Sequence, residues 1–75
     1  MNATFGQRLK YWRNKRNLTQ RQLSKKLNYS VATIGVYEYR DYEPKKWREE
    51  RLAEIYAALD VTAEEFWGNL EGGFK

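Results

Sequence analysis

The residues that could carry chemistry in this chain of 75 residues are its cations and carboxylates, because it contains no histidine and no cysteine. Histidine is the commonest general base and metal ligand, and cysteine supplies thiolate nucleophiles and ligands. Glu49, Glu50 and Glu54 have helix-surface spacing, where carboxylates face solvent or pair with a neighbouring lysine or arginine. We therefore expect no catalytic residue, metal, cofactor or small-molecule substrate, and hence no enzyme.

The cations are separated from the carboxylates along the chain. Residues 1–48 contain twelve Lys or Arg and three Asp or Glu, a net charge of +9. Residues 49–75 contain two Lys or Arg and seven Asp or Glu, a net charge of −5, which gives the chain its net +4. Charge is common on small soluble domains, but a separation this complete indicates one face made for a polyanion and another turned away from it.

The sequence shows no membrane signal. No apolar run approaches the ~18 residues that cross a bilayer. The first residues, MNATFGQRLK, also lack the apolar core of a signal peptide. We expect a cytoplasmic protein without membrane contact, associated with the nucleoid if its polyanion is DNA.

The elements that position these charges are predicted to be helices throughout, because apolar residues recur at helical spacing and never alternate over the length of a strand. Phe5, Leu9 and Trp12 follow one another at i, i+4 and i+7, which predicts a first helix over residues 3–16 with one apolar stripe.

A second and a third short helix follow with a sharp corner between them. Thr19 and Gln22 form a capping box that opens helix 2, and Asn28 is suited to a left-handed end of that helix. Ser30 is the predicted N-cap of helix 3, which covers residues 31–39. Roughly three residues therefore join two short helices, which is the helix-turn-helix arrangement.

The remaining chain is predicted to form two more helices. Pro44 suits the first position of helix 4, Thr62 opens a capping box at helix 5, and Gly68 ends that helix. We expect one domain over residues 1–68 and a flexible C-terminal tail over residues 69–75, which contains a Gly-Gly pair.

The stretch TQRQLSKKLNYSVATIGVYE, residues 19–38, resembles the helix-turn-helix of the Cro/CI phage-repressor family, also called XRE-like. Over roughly residues 5–67 the register holds without a gap, through Leu9, Trp12, Arg13, Leu18, Leu23, Ile34, Glu38, Pro44, Leu52, Leu59, Val61 and Phe66. The resemblance implies an all-α domain of five helices around one core, with helices 2 and 3 as the helix-turn-helix and helix 3 presented to the DNA major groove.

An ion pair between Arg13 and Glu38 is also implied by the resemblance. A planar guanidinium can take a carboxylate in a two-bond fork, which would tie helix 1 to the end of helix 3. Ser24 and Asn28 depart from the alanine and glycine that many family members have. Both replacements suit close packing and a left-handed corner.

The base-facing positions implied by the resemblance carry no side chain that forms a two-bond fork with a base. They are Val31, Ala32, Gly35 and Val36, with Thr33 beside them. Three interpretations remain open. The helix reads thymine methyl groups, DNA is held through phosphates with shape as the selector, or the apolar face binds a protein.

Polar and basic residues around helix 3 are predicted to contact phosphates. Gln20 and Arg21 lie at the N-terminus of helix 2, where free N–H groups favour an anion. The other predicted phosphate contacts are Ser30, Tyr39, Arg40, Tyr42, Lys45 and Lys46. Lys25 and Lys26 are interpreted as solvated surface.

We expect a small phage-type repressor that binds double-stranded DNA as a dimer, because one helix-turn-helix unit makes few contacts. Trp67 and Phe74 are the candidate dimer or partner contacts. The alternative is an antirepressor-like or antitoxin-like module that binds a larger repressor or toxin through helix 3 or its C-terminal surface.

Overall fold

The structure, a computed structural model, describes residues 3–40 and 48–68, and these residues form five α-helices and no strand. The predicted all-α class is confirmed. The predicted tail over residues 69–75 and the predicted helix start at Pro44 lie outside the described residues. The helices are α1 (Phe5–Lys15), α2 (Gln20–Leu27), α3 (Val31–Arg40), α4 (Arg48–Leu59) and α5 (Ala63–Trp67).

Three of these helices begin with the same threonine-based cap. At α2, Thr19 accepts a hydrogen bond from the backbone N–H of Gln22 at 3.0 Å, and the Gln22 side chain accepts one from the Thr19 N–H at 2.8 Å. Thr62 forms the predicted capping box at α5. Thr4 forms a further box at α1, which explains why that helix begins at Phe5 instead of at the predicted residue 3.

The ends of three helices are followed by a polar residue in the left-handed conformation. Asn17 has a φ of 59°, Asn28 a φ of 62° and Asp60 a φ of 57°. Asparagine and aspartate adopt this region more readily than other residues with a side chain. The left-handed end at Asn28, predicted from the sequence, is confirmed and turns the chain between α2 and α3.

The core draws at least one fully buried side chain from every helix. Such a side chain stabilises the fold by about 1.5–3 kcal/mol relative to an exposed position. α3 packs against α1 and α2, while α5 packs against α1 and α4. The fully buried side chains are Leu9, Leu23, Ile34, Ile55, Leu59 and Phe66.

An aromatic cluster connects α1 to α3 and α5. The ring of Phe5 lies 6.1 Å from the ring of Tyr37, 5.8 Å from Phe66 and 6.2 Å from Trp67, measured between centroids. The Phe5 and Tyr37 rings meet edge to face, an arrangement that aromatic pairs favour. The N-terminal helix therefore supports α3 from behind and leaves its opposite side free.

Candidate nucleic-acid interface

α3 has one buried side and one outward side. Ile34 and Tyr37 belong to the core, and helical geometry places residues 32, 35 and 36 on the opposite side, with residue 31 at its edge. Val31 and Val36 expose 40% and 42% of their surface, although valine is usually buried. Ala32 is exposed as well, and Thr33 and Gly35 are half-buried. The structure thus places Val31, Ala32, Gly35 and Val36 on the outside of α3, while Thr33 lies on its flank.

Gly35 lies in the middle of this outward side without a packing reason. Apart from its chain neighbours and the backbone of its own helix, a Cβ atom added to Gly35 would meet no atom of the described residues within 4 Å. Glycine inside a helix costs about 1 kcal/mol relative to alanine. The structure therefore shows no contact by which this glycine would stabilise the fold. Its position makes the backbone of α3 accessible from outside.

The hydroxyl groups at the start of α3 are bonded to each other. The Ser30 Oγ accepts a hydrogen bond from the Thr33 backbone N–H at 3.2 Å and lies 2.9 Å from the Thr33 Oγ1. Ser30 thus caps α3, as predicted. Its phosphate contact stays a prediction, in which the exposed hydroxyl would form a hydrogen bond in addition to the two that it shares with Thr33.

The far end of α3 is fixed by Arg13 and Glu38. The Arg13 Nε donates to Glu38 Oε2 at 2.6 Å and its Nη2 donates to Oε1 at 3.2 Å, which is the two-bond fork that the resemblance implied. The two side chains expose only 11% and 4% of their surface. The Arg13 Nη1 also donates to the Leu18 carbonyl at 2.7 Å, so one guanidinium joins α1, the start of α2 and the end of α3.

Gln20 belongs to the same network. Its Nε2 donates to Glu38 Oε1 at 3.1 Å. The donors of Gln20 that remain for the predicted phosphate contact are therefore its backbone N–H and its second amide N–H. Sequence reasoning did not find this bond, because it depends on how closely α2 approaches the end of α3.

The near end of α3 is fixed by Tyr29. Its ring meets the Tyr37 ring edge to face at 6.2 Å, and the Arg51 guanidinium lies 4.8 Å from its centroid. Its hydroxyl donates to Glu54 Oε1 at 3.3 Å. Burial raises the pKa of the Tyr29 phenol, and Arg51 opposes part of this rise. α4 thereby holds the corner that presents α3.

The predicted phosphate-binding cations are only partly described. Arg21 lies exposed in the first turn of α2, and the side chain of Tyr39 is 87% exposed. Lys25 and Lys26 are exposed, in agreement with their interpretation as surface residues. The remaining predicted contacts lie outside the described residues, namely the side chain of Arg40 and the whole of Tyr42, Lys45 and Lys46.

Arg8 in α1 and Arg16 directly after it contribute to the fold in a way that the sequence reasoning missed. Arg8 is 6% exposed and donates to the carbonyls of Phe66 at 2.8 Å and Gly68 at 2.6 Å. Arg16 donates to the carbonyls of Leu59 at 2.8 Å and Asp60 at 2.9 Å. Each guanidinium satisfies carbonyls at the end of another helix. The burial of Arg8 could have been expected from the sequence, because Arg8 lies within the apolar stripe of α1.

Trp67 is the described half of the predicted dimer contact. It is 38% exposed, its Nε1 donates to the Tyr56 hydroxyl at 2.7 Å, and the Arg8 guanidinium lies 5.5 Å from its ring. The tryptophan is thus oriented by the fold while part of its ring remains accessible. Phe74, the other candidate, lies outside the described residues.

Within residues 3–40 and 48–68, no group of three or more Asp or Glu side chains is arranged to hold a metal ion. No helix in that part of the chain is long and apolar enough to cross a membrane.

The comparison with known families agrees with this geometry. The pattern of a helix-turn-helix domain matches residues 4–66, which include all described helices apart from the last residue of α5. No curated protein matches the chain. Since the family pattern covers most of the sequence, the chain belongs to the helix-turn-helix domain family, which is related to the Cro-type and XRE-type domains.

Proposed function

We propose that this chain is a sequence-specific DNA-binding regulator of transcription that inserts α3 into the major groove of double-stranded DNA. Helix-turn-helix domains place their second helix in that groove. The observation that carries the proposal is the outward side of α3, where Val31, Ala32 and Val36 are exposed although they are apolar. Tyr29 and Glu38 hold the two ends of this helix against the rest of the fold.

Phosphate contacts supply most of the affinity in this proposal. Arg21 lies in the first turn of α2, where the helix dipole and free N–H groups favour an anion. Tyr39 extends from the last turn of α3 and is 87% exposed, so its hydroxyl can donate to a phosphate. The predicted contacts at Gln20 and Ser30, and those at Arg40, Tyr42, Lys45 and Lys46, complete this set.

The proposed mode of action is that of a small phage-type repressor in the cytoplasm. A dimer bound to two half-sites, separated by roughly 34–36 Å, would cover the DNA that other proteins need. Trp67 supports the dimer because a tryptophan with 38% of its surface exposed is a frequent interface residue.

Binding of a larger repressor or toxin is the second candidate function. The observation in its favour is the outward side of α3, since small apolar residues also suit close contact with a facing helix. In this case α3 would be covered by protein, and the cations would not determine affinity.

The experiment that separates the two is a titration of a fluorescent random-sequence duplex at several salt concentrations, run beside a sizing column. DNA binding through phosphates predicts that log Kd changes linearly with log salt, with a slope of about 0.9 per neutralised phosphate. Arg21→Ala should reduce that slope by about one contact. Lys10→Ala removes an exposed charge from α1 and should leave the slope unchanged. A monomer that does not bind DNA even at low salt would favour the protein partner.

A further inference from the structure

The outward side of α3 offers methyl groups and almost no available hydrogen-bonding group. Val31, Ala32 and Val36 are exposed. The Thr33 hydroxyl, the one side-chain polar group among the predicted base-facing residues, already lies 2.9 Å from the Ser30 hydroxyl. Side chains that can form two hydrogen bonds with one guanine or adenine base, such as arginine or glutamine, are absent from these positions.

The major groove contains one apolar feature that such a surface can distinguish. Thymine presents a C5-methyl group there, whereas cytosine presents an N4 donor and a bare C5 position. A methyl group on C5 of cytosine occupies the corresponding place on the pyrimidine ring. A helix that contacts only the methyl group therefore binds both thymine and 5-methylcytosine more tightly than it binds unmethylated cytosine.

Contact with a methyl group also requires close approach, because dispersion attraction is strong only near 3.5–4.0 Å between carbon atoms. Gly35 meets this requirement. It lies one helical turn from both Val31 and Ala32 on the outward side, and the space where its Cβ would be is open. Without that Cβ, the backbone of α3 can come nearer to the groove floor and bring the neighbouring side chains into contact range.

We propose that this chain recognises the C5-methyl groups of pyrimidines in the major groove, in thymine and 5-methylcytosine alike, through Val31, Ala32 and Val36, with Gly35 permitting the approach. The inference rests on the proposed DNA binding and names the chemical group that is read. Phosphate contacts provide affinity for any duplex, and the methyl contacts provide the preference among duplexes.

The first test uses a duplex selected by the chain from a random-sequence pool. The selected site is synthesised again with deoxyuridine in place of one thymine at a time, a change that removes only the methyl group from the base pair. At each contacted position we expect about a fourfold loss of affinity, the worth of one buried methyl group. A C·G pair placed at such a position should regain about fourfold when its cytosine carries a C5-methyl group.

The second test links the methyl group to a side chain. Val36→Ala removes two methyl groups from an exposed position, so the fold should tolerate it. The thymine-to-uracil affinity ratio at one position should then fall from about four towards one. Arg21→Ala is the matched control, since loss of a phosphate contact should weaken both duplexes equally and leave the ratio unchanged.

The outcomes separate this inference from the function on which it rests. If no duplex is selected and binding does not depend on salt, DNA binding itself is rejected. If a duplex is selected but thymine and uracil bind alike at every position, methyl recognition is overturned while DNA binding stands. A ratio that stays near four in Val31→Ala, Ala32→Gly and Val36→Ala would also overturn it, because the methyl group would then be read elsewhere.

Discussion

Three arginines in and directly after α1 and the outward side of α3 show opposite uses of residue type. Arg8, Arg13 and Arg16 are cations, yet all three donate hydrogen bonds to oxygen atoms of the protein itself. Val31 and Val36 are apolar, yet both are exposed. The inner arginines hold helices together, and the valines lie on the surface proposed to contact the ligand. Charge and hydropathy therefore do not reveal by themselves which residues meet a partner.

This contrast changes the meaning of the charge separation along the chain. The net charge of +9 over residues 1–48 indicates a face for a polyanion, but it includes the three inner arginines. Their guanidinium groups are oriented by carbonyls and by Glu38, so they contribute to the field of the protein more than to direct contacts. In the proposed complex with DNA, the phosphate contacts would come from exposed cations such as Arg21.

The largest effect is expected where an inner arginine loses its partner. Glu38→Ala should lower the free energy of unfolding by about 3 kcal/mol, because it leaves the buried Arg13 guanidinium without its counter-charge. Gln20 would lose its acceptor in the same variant. Urea unfolding followed by circular dichroism measures this change.

A double variant serves as the control for this prediction. Replacing both partners, as in Arg13→Met with Glu38→Leu, should recover part of the loss, because a buried ion pair can be exchanged for apolar groups at little cost. A Glu38→Ala protein as stable as the wild type would show that the pair between α1 and α3 does not stabilise the fold.

A smaller loss is expected at Arg8, which holds the end of α5. Arg8→Met keeps the aliphatic packing but removes the hydrogen bonds to the carbonyls of Phe66 and Gly68. We expect a decrease of about 2 kcal/mol in the free energy of unfolding, in line with hydrogen bonds to a charged group. Lys10→Met changes an exposed cation on the same helix and should alter stability little. Equal effects of the two substitutions would contradict the inner role of Arg8.

Structural features that depend on residues close together in the sequence could be predicted from the sequence alone. The boxes at Thr19 and Thr62 and the left-handed Asn28 follow from interactions over three or four residues, and the structure contains all of them. The Arg13–Glu38 pair, 25 residues apart, came only from the resemblance to a known family. The resemblance indicated that these two side chains meet in the fold, which their spacing in the sequence does not show.

The contacts of Arg8 and Arg16 could not be predicted in the same way. Their acceptors near the ends of α4 and α5 are backbone carbonyls 43 to 60 residues away. A carbonyl belongs to every residue type, so the sequence does not mark which one an arginine will reach. At the proposed interface, sequence reasoning named the residues of α3 through the resemblance, but the bond between Gln20 and Glu38 depends on the tertiary approach of two helices.

On the outward side of α3, the substitution Gly35→Ala should stabilise the fold and weaken the proposed binding to DNA. Alanine is favoured over glycine inside a helix by about 1 kcal/mol, and the added Cβ meets no atom of the protein. In the proposed complex the same Cβ would hold α3 away from the groove, an overpacking effect of about tenfold in affinity. Thermal unfolding and duplex titration measure the two changes.

Gly68→Ala provides the opposite case within the same chain. There a Cβ would lie 2.8 Å from the Glu64 carbonyl oxygen, so the substitution should destabilise the end of α5. If Gly35→Ala strengthened DNA binding or left it unchanged, the close approach of the α3 backbone to the ligand would be wrong.

The smallest effect is expected at Tyr29, which holds the start of α3 against α4. Burial raises the pKa of its phenol above the ordinary value of 10.0, so the folded state binds this proton more tightly than the unfolded state. The resulting stability is fully present below about pH 10 and is lost as the pH rises through the folded pKa. Tyr29→Phe cannot ionise and should show a flatter decline of stability in that alkaline window. Tyr39→Phe removes a phenol hydroxyl from an exposed position and is the matched control. Parallel profiles for Tyr29→Phe and the wild type would mean that ionisation of this phenol does not loosen the corner that presents α3.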